Sequence, residues 1–119
     1  MQYEKRVQKA LKKLDVGNVI CNQWIEYWDR NGPGAAETDA YIVFPSRVIL
    51  MDMKLTAKFE HWPQLEELYS PLLGMIYNRP VHVAQVGRSI RPGLEAPIFP
   101  DLISFLRADV PRGVIHWTI

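Results

Sequence analysis

The sequence predicts an α/β protein: a mixed sheet flanked by helices, with the element order α-β-β-β-α-β and a shorter αβ tail. Three observations predict it. A basic amphipathic segment opens the chain, three strand-like runs follow with no helix between them, and a helical run then leads into a fourth strand. Consecutive strands pair most simply as antiparallel neighbours, whereas a return through a helix adds a parallel one, so the sheet is mixed. The chain has 119 residues, 48% of them apolar. That is the size of one ordinary domain with a real core, and residues 1–119 are taken as a single unit.

In the first element Tyr3, Val7, Ala10, Leu11 and Leu14 fall at helical spacing, with lysines on the other side, and Asp15 and Gly17 close the helix. Residues 18–28, NVICNQWIEYW, are rich in branched and aromatic types and read as one strand. DRNGPGAAE reads as a long turn because of its closely spaced breakers. Thr38–Phe44 and Arg47–Leu55 are the next two strands, joined around Pro45-Ser46. HWPQLEELYSPLLGMIYN reads as helical: Pro63 suits a first helical position, Glu66 and Glu67 favour the N-terminal end, and Pro71 and Gly74 are expected to kink or divide it. RPVHVAQVG is the fourth strand, DLISFLRAD a short helix and GVIHWTI a final strand.

The net charge is +1, but Lys5, Arg6, Lys9, Lys12 and Lys13 crowd the first 14 residues against the single acid Glu4. The one cysteine, Cys21, has no internal partner for a disulfide, which points to a reduced, intracellular (cytoplasmic) setting and a small core residue. No apolar run approaches a membrane helix, and the charged N-terminus lacks the apolar region of a secretory signal. His61, His82 and His116 are scattered without zinc-ligand spacing, and no phosphate-binding glycine loop is present, so ATP hydrolysis is not expected.

The most strand-like segment, ETDAYIVFPSRVILMDMKLT, carries chemistry. Side chains two apart on a strand share a face, so Asp52 and Lys54 point the same way. If the turn is centred on Pro45-Ser46, Phe44 pairs with Arg47, and five positions along each strand Asp39 lies directly opposite Asp52. A four-residue loop built on a type I turn suits Pro45 and keeps that register, whereas an odd loop would shift it. Opposed like charges destabilise a sheet, and a lysine or a divalent cation offsets the repulsion. Magnesium takes oxygen ligands and is typically held by one or two carboxylates plus water and phosphate. Asp39 and Asp52, with the Met53 backbone carbonyl, are the candidate ligands, and Lys54 is placed to act on an attacking water and a phosphate. A surface ion pair is the plainer account of the same Asp-x-Lys triplet.

These residues resemble the PD-(D/E)XK nuclease superfamily, whose core is a helix, a three-stranded meander, a crossover helix and a fourth strand. The resemblance covers about residues 1–88, with TDAYIVF supplying the first acid and LMDMKLT the Asp-x-Lys triplet. It implies a restriction-endonuclease-like or Holliday-junction-resolvase-like core and a magnesium-dependent deoxyribonuclease, with manganese as substitute. Thr38 stands where the family usually has a proline. Some members carry a glutamine on the helix after the lysine and a tyrosine four positions later. Gln64 matches as an active-site hydrogen-bonder, whereas Tyr69 is five positions on and reads as core packing. Members also place a glutamate on the first helix. Glu4 is the only acid there and reads as a cap or solvent residue.

A chain this small has little room for a sequence-reading element, so the expectation is recognition of DNA structure, by a homodimer or by a subunit of a larger recombination or restriction complex. Lys5, Lys9, Lys12, Lys13, Arg88 and Arg91 are the candidate DNA contacts. Trp24, Trp28 and Trp62 are candidates to stack on bases; Trp62 is expected to be exposed and Trp24 to lie in the core with Ile20. The alternative class is a non-catalytic nucleic-acid-binding or assembly module that keeps the fold.

Overall fold

The computed structural model describes residues 2–119. Helix α1 (Tyr3–Leu14) buries Tyr3, Val7, Gln8 and Leu11 and leaves Lys5, Lys9, Lys12 and Lys13 exposed. Leu14, expected on the apolar stripe, is exposed at the last position, and Asp15 ends the helix in the left-handed region with φ 52°.

The run expected to be one strand over residues 18–28 is two strands, β1 (Asn18–Cys21) and β2 (Trp24–Asp29). The expected long turn is instead strand β3 (Gly32–Glu37), paired antiparallel with β2. β1 pairs with β4 (Ala40–Val43). The two ladders share one register, since three steps from Cys21↔Ala40 lead to Trp24↔Glu37. Backbone bonds from Asn22 N–H to the Asp39 carbonyl (3.2 Å) and from Thr38 N–H to the Gln23 carbonyl (3.0 Å) carry the pairing across the gap. The whole is therefore one long hairpin with an elbow, where Asn22 takes a left-handed backbone with φ 53°. The glycine that reads as a breaker has a packing reason. Gly34 faces Tyr27, and a Cβ there would lie 2.5 Å from the tyrosine ring.

β5 (Val48–Ala57) returns antiparallel beside β4, and β6 (Val81–Ile90) lies parallel to β5 after the helical crossover. The tail continues the same sheet: β7 (Ile98–Phe99), α3 (Leu102–Ala108) and β8 (Arg112–His116) give the order β1-β4-β5-β6-β8-β7 in six strands. Alternation divides the core in two. Ile42, Ile49, Met51, Met53, Ala84 and Val86 pack under α1 and α3, whereas Tyr41, Val48, Leu50, Val83 and Val114 pack under the crossover helix.

That crossover starts with a 3₁₀ turn (Phe59–His61), widens into a π-helical stretch (Gln64–Tyr69) and tightens into α2 (Ser70–Tyr77). Ser70 N–H donates to the Leu65 carbonyl, the five-residue step of a π turn. Pro71 gives the reason: it has no N–H, and in α geometry its ring would meet the carbonyl four residues back, so a wider turn before it relieves the clash. Gly74, by contrast, sits inside α2 without breaking it.

Trp62 overturns its expected exposure. It is buried, its indole N–H donates to the Leu94 carbonyl at 2.9 Å, and the Arg112 guanidinium lies 4.7 Å over its ring while pairing with Glu66. Trp24 and Trp28 on the β2–β3 ribbon are the exposed pair, at 59% and 81%.

Candidate active site

The β4–β5 register brings the two aspartates together. The ladder runs from Val43↔Val48 to Ala40↔Met51, and Phe44 N–H donates to the Arg47 carbonyl at 2.8 Å across the Pro45-Ser46 turn. One further step sets Asp39 opposite Asp52. Asp39 stands at the elbow of the long hairpin, and its Oδ2 accepts the Met53 N–H at 2.8 Å, taking the place of the β4 backbone where the ladder ends. The N–H and C=O of one strand residue leave the chain on the same side. The Met53 carbonyl therefore also faces the Asp39 side. Asp52 shares its sheet face with Leu50, under the crossover helix, and is nearly buried. The Lys54 Nζ lies 3.8 Å from Asp52 Oδ1, and the Lys54 side chain is about half exposed, at 45%.

Burial dominates the electrostatics of the pair. It raises the Asp39 carboxyl to about 6; the Met53 N–H opposes the rise, and the neighbouring Asp52 adds to it. Burial also raises Asp52, against the pull of the Lys54 ammonium. Two carboxyls this close share a proton readily and give it up to a cation, since a divalent ion removes both the desolvation penalty and the repulsion. Two carboxylates and one carbonyl match the partial shell proteins offer magnesium. No group of three or more His, Cys, Asp or Glu side chains gathers as a metal site among the described residues.

The surroundings are polar and connected. The Gln8 side chain donates to Glu4, to Asn22 Oδ1 (3.1 Å) and to the Asp39 backbone carbonyl (2.9 Å), and Asn22 Nδ2 also donates to Glu4. Glu4 is thus held at the edge of the site and is neither a cap nor a free solvent residue. On the crossover helix, Gln64 Nε2 donates to the Tyr69 hydroxyl at 3.2 Å. An i, i+5 pair meets on one face because the π turn has room for the extra residue. Burial raises the Tyr69 hydroxyl, with the charges of Asp52 and Asp39 adding to it, and the side chain packs against the core under the crossover, as its spacing in the sequence implies.

Lys5, Lys9 and Lys12 line an open groove of about 530 Å³ together with Gln8, Cys21 and Asn22, so it begins at the network around Asp39. Lys13 borders a neighbouring groove with Arg6 and Lys9. Arg88 lies elsewhere: its guanidinium donates to the Ile119 carbonyl and covers the Tyr3 ring, on the α1 side of the sheet. Arg91 borders a groove formed by residues 90–98. Sequence reasoning missed Gln8, Asn22 and Gln85. The signal for Gln85 was present, as a lone amide in the apolar run VHVAQVG.

No family model and no curated protein matches the chain. Among solved structures, the small subunit of the heterodimeric restriction endonuclease R.BspD6I is similar, with a TM-score of 0.46 and 19% identity over 74% of this chain and 50% of that one. The chain therefore spans about half the length of the structure it matches.

Proposed function

We propose that the chain is a magnesium-dependent deoxyribonuclease, with manganese as substitute, that hydrolyses phosphodiester bonds and selects DNA by structure. The observation that carries this reading is the opposition of Asp39 and Asp52 at the end of a ladder, with the Lys54 ammonium beside them. An arrangement that destabilises the bare protein is retained where a bound cation makes use of it.

Asp39, Asp52 and the Met53 carbonyl would hold the metal, which when bound supplies a Lewis acid for a phosphate oxygen. Lys54 orients the attacking water and offsets charge on the phosphate as it builds. Gln64, tied to Tyr69, fixes a hydrogen bond at the other side of the site. The groove of Lys5, Lys9 and Lys12 takes backbone phosphates away from the reacting bond, with Lys13 beyond it. Trp24 and Trp28, rather than Trp62, offer faces to unpaired bases. Magnesium is the expected requirement; a homodimer or a larger DNA-processing complex is the expected setting.

The test is incubation with branched, single-stranded and linear DNA, in magnesium and in chelator. Magnesium-dependent cleavage that Asp52→Asn abolishes is the expected result. Tight binding with no cleavage of any of these DNAs would favour the non-catalytic module instead.

A further inference from the structure

A histidine outside the proposed metal site is oriented by a buried amide. Gln85 lies at the centre of β6, fully buried, as the register partner of Asp52 on β5. Its amide is clamped at both ends by one residue. Oε1 accepts the Lys58 N–H at 3.0 Å, and Nε2 donates to the Lys58 carbonyl at 3.0 Å. Those two bonds fix which end of the amide is oxygen, because the reverse setting would oppose donor to donor and acceptor to acceptor. The same Oε1 lies 3.2 Å from His61 Nδ1. A carbonyl oxygen only accepts, so Nδ1 carries the hydrogen. In the neutral ring Nε2 is then the bare nitrogen.

Burial is the main cause that lowers His61 and keeps its ring neutral near pH 7; the Lys54 and Lys58 ammoniums act the same way, while the Gln85 bond and Glu60 oppose it. His61 stands in the 3₁₀ turn that starts the crossover, partly open to solvent, and its contact with Gln85, the register partner of Asp52, sets it on the sheet face that Asp52 shares.

We infer that His61 is the proton acceptor of the hydrolysis at this site, and that Gln85 is the positioning residue that sets its tautomer. The inference rests on the hydrolytic function proposed above. Water oxygen forms the new bond to phosphorus, and its proton passes to His61 Nε2. The ester P–O bond breaks, the leaving oxygen takes a proton from solvent, and the imidazolium returns its proton to solvent before the next turnover.

The experiment has two arms. Nitrogen NMR of the whole chain reads the His61 tautomer, with the Nδ1–H form expected. Single-turnover cleavage is then compared for wild type, His61→Asn and His61→Ala. Asparagine retains a donor for Gln85 Oε1 but has no basic nitrogen; alanine leaves space for added imidazole. Both variants are expected to lose about a hundredfold or more in rate. Imidazole is expected to restore much of the rate of His61→Ala and none of that of His61→Asn. Cleavage within threefold of wild type in both variants overturns the inference, as does a loss that imidazole leaves unrestored, or an Nε2–H tautomer. A wild type that shows the Nδ1–H form but cleaves no DNA overturns the hydrolytic function itself, and the catalytic role with it.

Discussion

Replacing Asp39 by asparagine separates what the carboxylate costs the fold from what it does in the site. The folded protein holds the Asp39 proton up to about pH 6, whereas an unfolded chain releases it near the ordinary aspartate value. Between those values the folded state binds more protons than the unfolded one, so this group's contribution to stability falls as pH rises through the window. The gap between those two values corresponds to about 3 kcal/mol, which screening at a partly exposed group reduces to about 2 kcal/mol. Asparagine keeps an oxygen for the Met53 N–H, now at 2.8 Å from Asp39 Oδ2, and carries no charge. The variant is therefore expected to match wild type near pH 4 and to exceed it by about 2 kcal/mol at pH 7 without metal. Urea denaturation at several pH values measures this, provided the slope with denaturant stays unchanged. Added magnesium is expected to close the gap at pH 7 by stabilising wild type alone, and the variant is expected not to cleave DNA. A stability difference that stays constant from pH 4 to pH 7 would refute the account of Asp39 as a buried, proton-holding carboxyl.

Further outcomes separate chemistry from binding. Lys54→Ala is expected to slow single-turnover cleavage by roughly two to three orders of magnitude with a much smaller loss of DNA affinity. Neutralising Lys9, Lys12 and Lys13 together is expected to do the reverse, lowering affinity and its salt slope by about one unit per lost contact while the rate recovers at saturating DNA, as titrations at several salt concentrations would read. Trp28→Ala is expected to weaken binding of single-stranded DNA by about 1–3 kcal/mol and to leave thermal stability nearly unchanged, because the indole is mostly in solvent.

Much of the site's geometry is legible in the sequence because it depends on local rules. The Pro45-Ser46 turn fixes the register, and strand alternation puts Asp52 and Lys54 on one face, so the opposition of Asp39 and Asp52 follows from a few residues. What is not legible depends on distant packing. Trp62 looks like an exposed ring at a helix start, yet the Leu94 carbonyl and Arg112, both remote in sequence, enclose it. The ribbon is hidden because glycine and proline in GPGAA signal a turn, whereas Gly34 is there to admit the Tyr27 ring. The π turn ahead of Pro71, which brings the Gln64 amide to the Tyr69 hydroxyl, is hidden as well, whereas the core packing of Tyr69 is read correctly from its spacing.

The elbow in the long hairpin bears on how such a chain changes over generations. The arm from Trp24 to Glu37 leaves the sheet and rejoins it at points already pinned by the Asn22–Asp39 and Thr38–Gln23 backbone bonds. Residues can be gained or lost in pairs within the arm without moving β1 against β4, and hence without moving Asp39 against Asp52. Beyond the buried Ile25–Ala36 pair, which belongs to the core, the arm is free to be lengthened or trimmed by descent while the carboxylate floor is inherited intact. Sequence drift is therefore expected to concentrate in the arm's outer residues and to spare its two pinned ends.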